Sequence, residues 1–200
     1  MKREQKKLQT KARICNAAKQ LFTEKGYESA TIADITELAG VAKGTFFNYF
    51  DNKESLMLEL HLDWVSHELH NLSYDQSEPT ISKILQIGAH LATKNQLNKK
   101  LARTLFQSIM AHEKTLERHQ QSLIETANVL QPLIQSGQKR GEIITDMSSH
   151  ELAEAFSQAY YGAVMAWAMH PSQNSQLDHV THALDWFIRG ISKTSVEAIG

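Results

Sequence analysis

Apolar residues recur along this chain at intervals of three and four, almost from end to end. No run shows the strict alternation that a half-buried strand requires. In the first periodic segment Leu8, Ile14, Cys15, Ala18, Leu21 and Phe22 share one helical face, and Gly26 stops it, because a left-handed residue costs glycine little. A short second helix is predicted to start at Thr31. Its hydroxyl can cap the free backbone N–H groups, with Asp34 three residues on in the reciprocal position. Ile32, Ile35, Leu38 and Ala39 are expected to face inward. Gly40-Val41-Ala42 reads as a tight break, and a third short helix as Lys43 to Phe50. Asp51-Asn52 then interrupts, with Asp51 and Glu54 placed for another capping box, and a fourth helix runs to about Leu72. Beyond the polar loop Tyr74–Pro79, helices are predicted over roughly 80–95, 98–111, 114–136, 149–169 and 177–191. Pro132 is expected to bend or end the seventh, since it lacks a backbone donor and crowds the preceding turn. Gln135–Gly141 reads as a loop, Ser148 or Ser149 as the cap of the eighth helix, and Pro171–Ser175 as the break before the ninth. The expected fold class is all-α, with about nine helices.

Composition narrows the class. The 200 residues suffice for one or two domains with a substantial core. Three prolines and nine glycines suit long helices. One cysteine, Cys15, excludes a disulfide framework and a cysteine-based zinc site. The longest nearly unbroken apolar run, Ala159–Met169, is about half of what a membrane span needs. The opening MKREQKKLQTK has no apolar stretch behind its charges, so no secretory signal is expected. The reading is a soluble, cytoplasmic protein without a membrane partner. The net charge of −1 hides an asymmetry. Residues 1–53 hold ten basic and six acidic side chains, a net of +4, and residues 54–200 hold eleven and sixteen, a net of −5. A basic front on an acidic body suggests that the front meets a polyanion.

Residues 31–50, TIADITELAGVAKGTFFNYF, form two short helices joined by a glycine-containing turn, the helix-turn-helix pattern. The second helix of such a unit lies in the DNA major groove. Lys43 supplies charge at its start, Gly44 lets backbone approach backbone, and Thr45 offers a hydroxyl to phosphate. Phe47, Asn48 and Tyr49 mix flat apolar surface with hydrogen-bonding groups. Gly and Asn also cost helix propensity here, an unfavourable local choice that suggests surface function. The alternative is an ordinary helix hairpin with an aromatic core cluster. Phe46 and Phe50, four apart, are assigned to core; Tyr49 stays open between core and contact.

More specific stretches are Ala17-Ala18-Lys19-Gln20-Leu21-Phe22, Lys25-Gly26-Tyr27, Thr31-Ile32-Ala33-Asp34-Ile35, Gly40 through Phe50, and Asn52-Lys53-Glu54-Ser55-Leu56. On these, residues 10–57 resemble the N-terminal domain of the TetR family of bacterial transcriptional regulators. The resemblance covers about a quarter of the chain. It implies a DNA-binding domain over residues 1–53, followed over 54–200 by a helical domain that binds an effector and dimerises. It implies a homodimeric repressor on a palindromic double-stranded DNA operator, released by a small-molecule effector. Carried over, Thr31, Lys43, Gly44, Thr45, Phe47, Asn48, Tyr49 and Lys53 occupy DNA-contact positions. Phe47 stands where many members have Tyr, so it lacks the phosphate-binding hydroxyl; a thymine methyl contact or simple packing are its two readings. The basic run Lys2, Arg3, Lys6, Lys7, Lys11 and Arg13 likewise has two: an arm that reaches DNA, or a solvated, frayed terminus.

The body carries no catalytic or metal motif. His67-Glu68-Leu69-His70 places its second histidine one position early for a zincin, and G-x-S-x-G, G-x-G-x-x-G and P-loop patterns are absent. No enzyme, cofactor, catalytic residue or metal ligand is expected. The helix over Leu152–Met169 is apolar nearly all round, which demands burial on every side. Ala153, Ala159, Gly162, Ala163 and Ala166 would admit another helix closely, and Val180, Ala183, Leu184, Phe187 and Ile191 add a second apolar face. A homodimer through residues 149–169 and 177–191 is therefore expected, in line with the resemblance. His61 lies among Leu58, Trp64 and Val65 on the helix that leads from the DNA-binding unit into the body. His61, Trp64, Phe106, Met110, Leu123, Tyr160 and Met165 are the candidate ligand-binding residues, with ordinary core as the competing reading; as a pocket they would suit a mostly apolar ligand with one or two polar handles. Two other functions stay open: a DNA-binding protein of this fold controlled by a protein partner or acting as an activator, and a helical enzyme or scaffold.

Overall fold

The computed structural model describes residues 2–72, 77–94, 97–171 and 174–192. Among them the chain forms α1 (Lys2–Lys25), α2 (Ile32–Leu38), α3 (Lys43–Phe47), α4 (Lys53–Asn71), α5 (Thr80–Lys94), α6 (Lys99–Ala111), α7 (Glu113–Lys139), α8 (Ser149–Met169) and α9 (Gln176–Ile191). The only β pairing among these residues is an isolated bridge between Ile143 and Ser192. Side-chain caps set most helix starts. Thr31, Asn52, Ser148 and Ser175 each accept from the backbone N–H three residues on, while the residue there returns a bond to the cap. Gly26 follows α1 at φ 81°, a left-handed conformation that a side chain would strain.

Three apolar clusters organise these helices. The N-terminal one gathers Ile14, Cys15, Ala17 and Ala18 of α1, Ile35 and Ala39, Phe46 and Phe50, and Leu56 and Leu60 of α4. The largest is built from α4–α9 around Ile84, Ile87, Leu130, Phe156, Val180 and Leu184. A third joins Leu58 and Leu62 of α4 to Leu105 and Ile109 of α6. One helix, α4, thus serves all three: Leu56 and Leu60 face the N-terminal cluster, while Leu58, Leu62, Val65 and Leu69 form one stripe on its other side that faces the remaining two, so a displacement of α4 is felt at both ends of the molecule.

Several expectations shift. Pro132 lies inside α7, which runs on through 135–139 to Lys139. Leu130, Ile134 and Gly137 are buried on both sides of the proline and hold the turn, while Asn128, whose carbonyl loses its donor, is exposed to water. Leu8 does not join the core: it is 67% exposed, because α1 overhangs the cluster at its start. Leu38 is exposed as well, at the end of α2. The cap of α4 is Asn52 with Ser55 rather than Asp51 with Glu54. The first helical stretch after Gly40 ends at Phe47, with a turn to Phe50. Part of the expected loops, 73–76 and 172–173, lies outside the described residues.

Candidate DNA-binding face and effector cavity

Asp34 locks the start of α2. Its carboxylate accepts from the Thr31 N–H at 2.9 Å and from Lys25 Nζ at 2.6 Å. The lysine bond and then the Thr31 bonds hold its carboxyl down to about 2. The turn into α3 depends on Gly40, at φ 63°, followed by a Val41 N–H bond to the Thr36 carbonyl at 3.0 Å. Phe46 is fully buried and packs on Phe50, centroids 5.6 Å apart, which pins α3 by one face. The opposite face is bare: Lys43, Gly44, Phe47 and Asn48 are exposed, with Thr45 and Tyr49 half-buried beside them. Phe47, 42% exposed, sets only its edge against Phe46. At Gly44 an added side chain would meet nothing within 4 Å, so packing within the chain does not require glycine there.

Lys53 is placed differently from these. Its ammonium donates to the carbonyls of Tyr27 at 2.8 Å, Ala30 at 3.0 Å and Glu28 at 3.4 Å, and lies 4.2 Å from the centre of the Tyr27 ring. The position expected to bind phosphate is thus occupied in tying α4 to the α1–α2 turn. Next to it, Asn52 Nδ2 meets His112 Nε2 at 2.9 Å and Lys114 pairs with Asp51 at 2.7 Å, so the start of α7 docks against the α3–α4 turn.

His61 stands at the junction of two spaces. On one side it lines, with Trp64, Met57, Leu60, Leu97 and Leu101, a groove of about 730 Å³ between α1, α4 and the α5–α6 region; Lys19 and Lys94 lie along it. On the other it reaches a small cavity of about 20 Å³ among Leu58, Leu105, Phe106, Ile109, His119, Tyr161 and Val164. Burial, with His119 nearby, pushes the His61 imidazole down to about 4, so it is neutral at physiological pH. Burial lowers His119 as well, and its Nδ1 is enclosed without a hydrogen-bond partner. The His119 ring meets the Tyr161 edge at 4.9 Å.

The structure therefore brings together His61, Trp64 and Phe106 of the sequence candidates and adds His119, Tyr161, Leu97 and Met57. The others are elsewhere. Met110, 80% exposed, and Met165 line a neighbouring surface depression of about 370 Å³, which shares Phe106 with the cavity at His61. Tyr160 is buried in the largest cluster, and Leu123 is half-buried on α7 and lines neither space at His61. His119 carried no local signal: only the packing of α7 on α4 brings it to His61.

Beside this cavity an ion-pair chain crosses three helices. Arg118 of α7 binds Glu59 of α4 at 3.2 Å and Asp63 at 3.3 Å; Glu59, 8% exposed, also binds Lys11 of α1 at 2.8 Å. A neighbour of His119 is thereby linked, through one buried carboxylate, to the helix that carries the N-terminal cluster.

The model of the bacterial regulatory proteins, tetR family, matches residues 14–60, the segment from the middle of α1 through the second turn of α4. The chain is a TetR-family regulator. It is 25% identical over 193 residues to the HTH-type transcriptional regulator TtgR of Pseudomonas putida, covering 88% of this chain and 89% of that one. It is 22% identical to the fatty acid metabolism regulator protein of Bacillus subtilis, over 89% and 93% of the two chains. Among solved structures, the Thermus thermophilus FadR repressor in complex with lauroyl-CoA superposes with a TM-score of 0.70 at 20% identity, over 90% and 94% of the chains. That likeness shows the all-α fold of the TetR-family body. Among the described residues no helix is long and apolar enough to cross a membrane, and no group of three His, Cys, Asp or Glu side chains is placed to hold a metal.

Proposed function

We propose that this TetR-family regulator is a homodimeric repressor that binds a palindromic operator through α3 and leaves it when a small, mostly apolar molecule enters the body at His61. The observation that carries the reading is the division of α3. Phe46 and Phe50 anchor one face, while Lys43, Gly44, Thr45, Phe47, Asn48 and Tyr49 stand on the other; Thr31, exposed at the start of α2, is read with them. Residues 1–53 then act as the DNA-binding unit and 54–200 as the effector-binding and dimerising unit, with α4 shared between their cores.

Dimerisation rests on the bare side of the last two helices. On α8, Gln158, Gly162, Ala166 and Met169 are exposed at helical spacing, and a side chain added at Gly162 would meet nothing. On α9, Trp186 is 75% exposed beside His182 and Gly190. Small and aromatic apolar residues left bare on these two helices suit an interface with the same faces of a second copy. The effector reading rests on the paired spaces at His61. Their largely apolar walls, with neutral His61 and His119 inside and Lys19 and Lys94 along the outer groove, suit a mostly apolar ligand with a polar handle. The inner cavity is too small for one, so α4, α6, α7 and α8 must part to admit it. That movement acts on Glu59 and α4, and so on the spacing of two recognition helices.

Selection of duplexes from a random pool by the purified chain, followed by sequencing, tests the proposal. Two inverted half-sites are expected, centred about one helical turn or a multiple apart. A single asymmetric site, or no enrichment, would contradict it.

A further inference from the structure

Two polar atoms at the inner end of the space at His61 are left without partners. His119 Nδ1 of α7 and the Tyr161 hydroxyl of α8 are both enclosed and form no hydrogen bond, although the Ser122 hydroxyl lies close to the tyrosine. An enclosed polar atom without a partner is costly, and most in folded proteins have one. Here the two atoms belong to side chains whose rings meet at 4.9 Å and which line the same small cavity. The rest of its wall is mainly hydrocarbon, from residues such as Leu58, Leu105, Phe106 and Val164. About 20 Å³ is room for one oxygen atom, not for the carbons behind it, which must lie towards His61 and the outer groove. The surroundings also fix the charge such a group can carry. Burial lowers both His61 and His119 and raises the Tyr161 phenol, so all three are uncharged at pH 7. The neighbouring cation, Arg118, faces Glu59 at 3.2 Å, Asp63 at 3.3 Å and Glu125 at 3.6 Å, so its charge is already countered. A carboxylate placed here would lose water without gaining a cation, and it only accepts; an ammonium would lose water without gaining an anion, and it only donates. A hydroxyl does both without a charge.

We infer that the effector is an uncharged molecule bearing a hydroxyl group, an alcohol or a phenol, seated between His119 and Tyr161: its O–H donates to His119 Nδ1, its oxygen accepts from the Tyr161 O–H, and its apolar body extends past His61 into the outer groove. The inference rests on the reading of this space as the effector site and narrows it to one chemical class. The seat also explains how the polar end of a ligand reaches the operator side. A molecule bonded to His119 is held on α7 next to Arg118, whose partner Glu59 belongs to α4 and binds Lys11 of α1. An apolar body without the hydroxyl fills the groove but leaves both inner atoms unpaired.

The test titrates probes of matched length into the full-length chain at pH 7 by isothermal calorimetry, with melting temperatures recorded alongside: 1-decanol, its isomer methyl nonyl ether, decanoate and decylamine. Decanol should bind about 10- to 100-fold more tightly than the ether, which cannot donate, and than either ion. Tyr161→Phe removes an oxygen that has no partner in the chain alone, so it should melt at or above the parent temperature and yet bring decanol and ether to nearly equal affinity. His119→Leu should narrow the same ratio. An ether bound as tightly as decanol, or a ratio unchanged in both variants, overturns the inference while leaving the effector space in place. Tightest binding of decanoate or decylamine overturns it too; an advantage of decanoate that vanishes in Lys19→Gln with Lys94→Gln would put the polar handle in the outer groove. A chain that binds none of these probes overturns the reading on which the inference stands.

Discussion

Lys53 and His61 sit two turns apart on α4. Lys53 satisfies three carbonyls at the α1–α2 turn, so its main contribution is to hold the N-terminal unit together. Lys53→Met keeps the stem and removes the charge. We expect it to lower unfolding free energy by about 1–3 kcal/mol, the usual range for charge-assisted bonds, measured by denaturant titration at pH 7. Unchanged stability with a salt slope lower by about one would show instead that the ammonium meets phosphate. His61 gives a pH dependence. Its folded value, about 4, lies below the ordinary 6.5, so the unfolded chain binds more protons in between. Stability is fully present above pH 6.5 and is lost as pH falls towards 4. Between pH 7 and pH 5 the expected loss is about 2 kcal/mol, and His61→Leu should show less of it. A parent as stable at pH 5 as at pH 7 would place His61 in contact with water. The difference between these residues also measures what the sequence discloses. The apolar neighbours of His61 were visible along one helix, whereas the partners of Lys53 lie more than twenty residues away and are backbone atoms that no side-chain pattern reports.

At the scale of elements, helical periodicity located α2, α4, α8 and α9 closely, and the caps at Thr31 and Ser148 were legible because each is a local event between a side chain and a backbone N–H. Extent was less legible where packing overrides propensity. The seventh helix continues through Pro132 because Ile134 and Gly137 are buried beyond it. The reading of α8 as apolar all round has a physical counterpart. One face is buried in the largest cluster, and the other leaves Gly162, Ala166 and Met169 bare in a single chain. If a second copy covers that face, Ala166→Glu should place two carboxylates at a symmetric contact and turn the dimer into a monomer in sedimentation experiments, with the helical content of the chain unchanged. A variant that sediments like the parent would remove α8 from the interface. The same variant should lose operator affinity, since each chain then holds one half-site alone.

For the whole molecule, the proposed function depends on coupling between ends that share α4. The basic front and acidic body were evident as composition, and the recognition segment as a pattern; the chain of contacts between them was not. Arg118, Glu59 and Lys11 are distant in sequence and become one network only when α7, α4 and α1 pack. A molecule that wedges into the space at His61 and His119 acts beside Arg118. It shifts the equilibrium only by its differential affinity for the bound and released arrangements, and the operator must weaken effector binding by the same factor. All of this presupposes that α3 reads bases. The most direct measurement is the ratio of affinities for the selected operator and a random duplex, in the parent and in Asn48→Ala, with melting temperatures measured alongside. Asn48 is exposed at the end of α3, so the variant should melt with the parent, while the ratio falls about 5- to 150-fold per half-site as base contacts worth about 1–3 kcal/mol are lost. An unchanged ratio in a variant that still binds DNA would show that this face of α3 does not read sequence.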